Sequence, residues 1–224
     1  MKKLFVLAMT MVMAFVGAAS AQTQKEIRKE RRQVEKMTTK ELNSKATKAA
    51  RKEAKRLKKQ GWIVSPGALP MDKQLDRVYL MQYEYDENLY PKYIMAEAMS
   101  IGENYDGAKT QALELAKQNL AGQVQTEITA LIENTVANKQ LAANEAASIT
   151  ETVLASKNLI SQALGRVMPV MECYRILKNG NKEVLVRLAY NSDMAREAAK
   201  NVVRKELENK GEKLHEQLDK VLGF

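Results

Sequence analysis

Residues 106–137 read DGAKTQALELAKQNLAGQVQTEITALIENTVA, and in them Ala112, Ala116, Leu120, Val124, Ile128, Leu131 or Ile132, and Thr135 recur every three or four positions. That period is the apolar stripe of an amphipathic helix. Alanines line its first half and allow close approach to a sheet. From Leu120 onward larger side chains supply most of the burial, at about 1.5–3 kcal/mol for each one fully removed from water. Gly122 interrupts the stretch at a cost of about 1 kcal/mol relative to alanine, so a close contact is expected there.

Upstream, residues 93–101 alternate as a short strand bounded by Pro91 and Gly102. Before it, Met71, Leu75, Val78, Tyr79 and Gln82 mark a helix from Pro70 to about Glu87, with Pro70 suited to the first helical position. Five of the eight tyrosines fall between Tyr79 and Tyr93, either as rings with one face in the core or as a stacking surface for sugars. Downstream, Ile149, Val153 and Leu154 place a helix at about 144–159, capped by Asn144.

Two strands follow, 167–177 and 183–190, joined through Lys178-Asn179-Gly180-Asn181, where Asn-Gly signals a type I′ hairpin. Val184, Val186, Leu188 and Tyr190 alternate with Leu185, Arg187 and Ala189, a pattern read as one buried face. Pro169 cannot donate to a ladder and belongs at an edge or a strand start. Asn191 or Ser192 caps a last helix to about Asn209, and Leu214, Leu218 and Leu222 continue a narrow stripe. The order defines an α+β fold: a small antiparallel sheet packed by a long central helix and a C-terminal helix.

The chain's charge is divided. Residues 22–60 hold fifteen Lys or Arg against five Glu, whereas residues 61–224 carry a net charge of −3. The break falls at Gly61, Pro66, Gly67 and Pro70, so the expected organisation is a basic arm, 22–60, and one α+β domain, 61–224. The arm reads as a single long basic helix, about 25–60, with a narrow stripe of Leu42, Ala46, Ala49 or Ala50, Ala54 and Leu57. It could act as a spacer or docking helix, pair with a second copy, or rest on anionic lipid or cell-wall polymer through Arg28, Lys29, Arg31, Arg32, Arg51, Lys52, Lys55, Arg56, Lys58 and Lys59.

Residues 1–21 carry Lys2 and Lys3, an apolar run from Leu4 to Val16, and Ala19-Ser20-Ala21. That succession is a secretory signal cleaved after Ala21, since a bilayer crossing needs ~20 apolar residues. A periplasmic address, membrane-associated if the arm binds lipid, is expected, and with it no nucleic-acid partner. Position 22 is glutamine, so the lipid-bearing cysteine of an exported lipoprotein is missing. Cys173 is the single cysteine and reads as a small buried hydrophobe.

The residues that carry chemistry are few. One histidine, His215, and one cysteine exclude a histidine-based triad, a HExxH zinc site and a CxxC pair. Glu84, Asp86 and Glu87 lack the spacing of a calcium loop and read as surface charge. Gly102 and Gly107 flank a helix start where an anion could meet free amides, without the Lys-Ser/Thr of a phosphate loop. No catalytic residue, metal ligand or cofactor is expected.

Glu97-Ala98, Gly107-Ala108, the spacing Ala112, Ala116, Leu120 and Val124, Glu127-Ile128, and the strands 170–177 and 184–188 resemble the lipoprotein-20 family of bacterial envelope proteins. The same residues are similar to the N-terminal domain of flagellar assembly protein T. The likeness spans about 92–195 and implies a non-enzymatic envelope module; the basic arm and the missing lipobox cysteine depart from it. The leading expectation is an exported scaffold or binding module whose partner, an envelope protein or glycan, meets a sheet edge or Tyr83, Tyr85 and Tyr90. The alternatives are a peripheral membrane or cell-wall protein held by the arm and, last, a carboxylate-based hydrolase.

Overall fold

The computed structural model describes residues 28–29, 31–33, 36, 44–138, 141–209 and 218. The chain divides into a unit covering Met1–Lys45 and a compact unit covering Ala46–Phe224. In the first, residues 28, 29, 31–33 and 36 are helical and exposed. The signal segment, Leu214, His215 and Leu222 lie outside the described residues.

The second unit is built from α1 (Lys48–Lys59), α2 (Met71–Gln82), β1 (Tyr93–Gly102), α3 (Tyr105–Ala137), α4 (Ala143–Ala155), α5 (Lys157–Ala163), β2 (Met168–Ile176), β3 (Lys182–Asn191) and α6 (Ser192–Asn209). The three strands form an antiparallel sheet in the order β1-β3-β2. Ala98 pairs with Val186 in one ladder, and Val186 with Glu172 in the other. Pro169 sits at the start of the edge strand β2, beside an irregularity of register between Pro169 and Met171, as its missing N–H requires. The class is α+β with a long central helix.

The central strand is covered on both faces, not one. Val184, Val186 and Leu188 join Ile94 and Ala96 against Ala108, Ala112, Ala116, Leu120, Val124 and Ile128 of α3. Val153 of α4, Ile160 of α5, and Ala199, Val203 and Leu207 of α6 extend this core, and the buried Leu218 belongs to it. Leu185 and Ala189 point the other way, into a second core with Cys173, Val170, Met171, Trp62 and the α2 residues Met71, Leu75 and Val78. Alternation therefore sorted the side chains correctly, but Leu185 and Ala189 are apolar because a second layer lies over them.

That second layer includes α1, which corrects the expected domain boundary. The expected continuous helix 25–60 is broken at residues 44–47, where Ser44 is a bend and 45–47 have no regular structure. Thr47 then starts a new helix, its Oγ1 accepting from the Ala50 N–H at 3.3 Å, while its own N–H donates to Asp76 Oδ1 at 3.1 Å. Ala46, Ala50 and Ala54 are buried in the second core, so the body begins at Ala46 and not at Gly61. The stripe is narrow, yet small side chains let a helix backbone approach its neighbour closely. Gly61, with φ +87°, marks a turn between two packed segments: Trp62 N–H returns to Leu57 O at 3.1 Å.

Other differences are local. Helix α2 stops at Gln82, and the expected helix at 144–159 is two short ones, α4 and α5. Asn144 is not the cap of α4; Ala142 is, and Glu145 reaches back to its N–H at 3.4 Å. Gly180 alone in the hairpin has positive φ, +85°, with Gly180 N–H bonded to Leu177 O and Leu177 N–H to Asn181 O. This is a type I turn followed by a glycine bulge, not a type I′ turn. Asn191 Oδ1 accepts from Met194 N–H at 3.0 Å and caps α6 as expected.

Gly122 has no close backbone neighbour, since a Cβ there would meet only the end of Lys157 at 3.6 Å. Gly122→Ala should therefore raise stability by about 0.5–1 kcal/mol, and Leu120→Ala, two residues earlier and in the buried stripe, should lower it by about 2–5 kcal/mol. Urea unfolding of both variants checks the pair, and a destabilised Gly122→Ala would show that the helix is crowded at that turn.

Candidate functional site

Residues 83–92 form a braced loop between α2 and β1. Asp86 Oδ1 accepts from the N–H groups of both Asn88 and Tyr90 at 2.8 Å, and Asp86 N–H donates to Tyr90 O at 2.9 Å. Lys92 N–H bonds to Glu84 O at 2.9 Å, and the Lys92 ammonium lies 2.5 Å from Glu84 Oε1. On this frame Tyr83, Tyr85 and Tyr90 are 68, 51 and 60% exposed, and Leu89, with φ 64°, is 81% exposed. Positive φ is unusual for a branched apolar residue. Tyr79 and Tyr93, by contrast, are half-buried beside the second core. The five clustered tyrosines thus divide, and the three named as a partner surface are the outward ones. Leu89 was missed; the turn-forming Asp86-Glu87-Asn88 ahead of it was its only signal.

One side of the loop walls an open groove of about 940 Å³, whose other walls are α3 and α6. Tyr90 and Pro91 stand on the loop side, Ala130 and Leu131 of α3 line it with apolar groups, and Glu127, Asn134, Arg196 and Asn201 add polar groups. Arg196 bridges the two helices, with Nε 3.4 Å from Glu127 Oε2 and Nη1 3.2 Å from Asp193 Oδ1. No spacing rule brings α3 and α6 together, so the groove was invisible in the sequence.

The sheet edges, considered as the other partner surface, are partly covered. Ile63 exchanges both backbone bonds with Tyr174 of β2, at 2.8 and 2.9 Å. On the outer edge of β1, Asn119 Nδ2 donates to Glu97 O and Gln123 Nε2 to Met95 O, each at 3.0 Å. Side-chain amides there occupy carbonyls that an added strand would need.

A second polar cluster joins the 62–70 segment to the sheet and α3. Tyr105 donates its hydroxyl to Glu172 Oε1, Ser65 Oγ lies 3.1 Å from that oxygen, and Lys109 Nζ is 3.0 Å from Glu172 Oε2. The Glu172 N–H is held by Gln74 Oε1 at 2.7 Å, and Gln74 Nε2 donates to Leu69 O at 2.7 Å. Burial works against the Glu172 anion, but the Tyr105 and Lys109 hydrogen bonds outweigh it and hold the carboxyl below its ordinary range. Burial and the bond to Glu172 push the Tyr105 phenol up, while Lys109 is raised because the attraction of Glu172 exceeds its own burial penalty. Each charge here is matched within the fold, the pattern of a structural brace.

Cys173 is buried, and burial first, then the Glu97 charge, push its thiol up to about 12, far from a thiolate nucleophile. The start of α3, read as an anion site, is occupied by its own cap: Asn104 Oδ1 accepts from Gly107 N–H at 2.7 Å. At Gly102 a Cβ would lie 3.2 Å from the Ala108 nitrogen, so that glycine serves close packing. Among the described residues no group of three His, Cys, Asp or Glu lies close enough to hold a metal ion, and no helix is long and apolar enough to cross a membrane.

The basic residues fall into two sets. Arg28, Lys29, Arg31 and Arg32 belong to the first unit; Arg51, Lys52, Lys55, Arg56, Lys58 and Lys59 lie on the exposed side of α1 in the second. Arg56 is paired with Glu53, at 2.9 Å through Nε. No family model matches this chain, and no curated protein or solved structure is significantly similar to it.

Because the folded Glu172 binds its proton more weakly than an ordinary carboxyl, its contribution to stability is present above the ordinary value of 4.5 and is lost as pH falls through its own lower value. Glu172→Gln should therefore be less stable than the wild type near neutral pH, with the gap narrowing below about pH 4. Urea midpoints across that range measure it, and a constant gap would assign the loss to packing alone.

Proposed function

We propose that this protein is an exported, non-catalytic binding or scaffold module of the bacterial envelope, and that it meets its partner through the tyrosine loop. The single observation carrying the contact is that Tyr83, Tyr85, Leu89 and Tyr90 stand in water on a loop braced from within. Exposing apolar rings opposes folding, and a loop that orders them in advance lowers the cost of binding. Export rests on the signal-like residues 1–21, and the envelope setting on the resemblance of residues 92–195 to the lipoprotein-20 family. The absence of catalysis rests on the matched charges of the Glu172 cluster and the inert Cys173.

N-terminal sequencing of protein from a periplasmic fraction should begin at Gln22, and a photoreactive residue at Leu89 should give one reproducible adduct in intact envelopes. Replacing Tyr83, Tyr85 and Tyr90 together by alanine, with the same probe at Leu89, should remove that adduct while leaving the melting temperature unchanged. An adduct that survives the triple substitution would move the contact elsewhere.

A second reading is favoured by α1, which buries Ala50 and Ala54 and turns Arg51, Lys52, Lys55, Lys58 and Lys59 outward. Such a face suits anionic lipid or cell-wall polymer, with about 1 kcal/mol per basic residue near the surface and strong weakening by salt. Co-sedimentation with anionic vesicles should fall when these five residues become glutamine, and fall again at high salt. Equal pelleting of both proteins would leave the α1 face no role at membranes.

A further inference from the structure

We infer that the groove between the tyrosine loop, α3 and α6 is a binding site for an uncharged oligosaccharide, an inference that rests on the binding-module reading above and names its ligand. The volume, about 940 Å³, suits a small chain of rings and lies in the range of ligand clefts. Its chemistry is that of a sugar turned inside out. A pyranose has apolar C–H faces and a rim of hydroxyls that both donate and accept. The groove offers the 60%-exposed Tyr90 ring next to Pro91 as a platform, and Ala130 and Leu131 as an apolar wall.

Around that strip stand planar polar side chains. Asn134 of α3 and Asn201 of α6 each present a carbonyl and an NH₂ group, a pair that can meet two neighbouring hydroxyls at once. Glu127 accepts from hydroxyls, and Arg196, its guanidinium already spread between Glu127 and Asp193, is held as a donor in a fixed plane. The platform is fixed too, because Asp86 Oδ1 holds the Tyr90 N–H at 2.8 Å and Asp86 N–H holds its carbonyl at 2.9 Å.

Charge decides against other ligands. The lining carries the carboxylates of Asp86, Glu127, Asp193 and Glu197 against the cations of Arg196, Lys200 and Arg204. A phosphate or polyuronate would meet nearly as much repulsion as attraction, and so would a strongly basic peptide. A neutral, hydroxyl-rich ligand incurs neither penalty.

The test is calorimetric titration of mature full-length protein with cellotetraose and chitotetraose as neutral probes and tetragalacturonate as the anionic one. Binding of a neutral probe at least about tenfold tighter than the anionic one is expected. Tyr90→Ala should weaken it about tenfold, the size of one lost stacking contact, while Tyr90→Phe keeps it. Asn134→Leu, with an unchanged melting temperature, should also lose binding. Failure of both neutral probes, preference for tetragalacturonate, or equal binding by Tyr90→Ala would overturn the inference. If the neutral probes fail while the loop cross-link forms and depends on the tyrosines, the binding-module reading stands and the sugar site falls.

Discussion

Everything in the second unit is organised by the two-sided burial of β3. Val184, Val186 and Leu188 face α3, and Leu185 and Ala189 face a second core that α2 closes with α1 packed on it, so one ten-residue strand holds two helical layers in place. The facing helix reaches the sheet closely because Ala108, Ala112 and Ala116 present only methyl groups where it crosses. Larger side chains there would lift the helix and separate Leu120, Val124 and Ile128 from the sheet. In the second layer Ala50 and Ala54 allow a similarly close approach of α1 to α2. Close packing of small residues, more than the bulk of any one, sets the geometry.

This sandwich leaves its polar work at the margins. The 62–70 segment must cross from α1 to α2 over the end of the sheet, and the Glu172 cluster fastens it by hydrogen bonds from Ser65, Tyr105 and Lys109 and by the paired contacts of Gln74. Arg175 adds a guanidinium 4.7 Å from the Trp62 ring centre. A catalytic carboxylate needs a changing proton and an approach for substrate. Glu172 has its oxygens engaged and its anion stabilised, which fits a fastening. The same economy partly covers the sheet edges: Ile63 pairs with Tyr174 of β2, while Asn119 and Gln123 occupy the Glu97 and Met95 carbonyls of β1.

Against so much internal satisfaction, the loop at 83–92 stands apart. Its backbone is braced by the bonds of Asp86, Tyr90 and Lys92, yet its large side chains face water. A hydrogen-bonded backbone with exposed rings is the reverse of an unbraced polar connection, and it adjoins the groove whose far wall is α6. The proposed contact and the proposed sugar site therefore share Tyr90, and loop geometry couples them.

The sequence by itself determined the central helix with its buried stripe, the three strands and the last helix. The three-and-four spacing from Ala112 to Thr135, the alternation of Val184 to Tyr190, the cap at Asn191 and the edge position of Pro169 are local properties, set by backbone geometry within a few residues. It also singled out Tyr83, Tyr85 and Tyr90. What only the tertiary structure decided was which layers meet. Whether Leu185 and Ala189 are covered depends on a helix more than a hundred residues away, and Ala50 and Ala54 of α1 belong to the body because a matching surface exists on α2. The groove likewise needs Asn134 and Asn201, on two helices whose approach no period encodes, and its balanced charge arises only when α3 and α6 lie side by side.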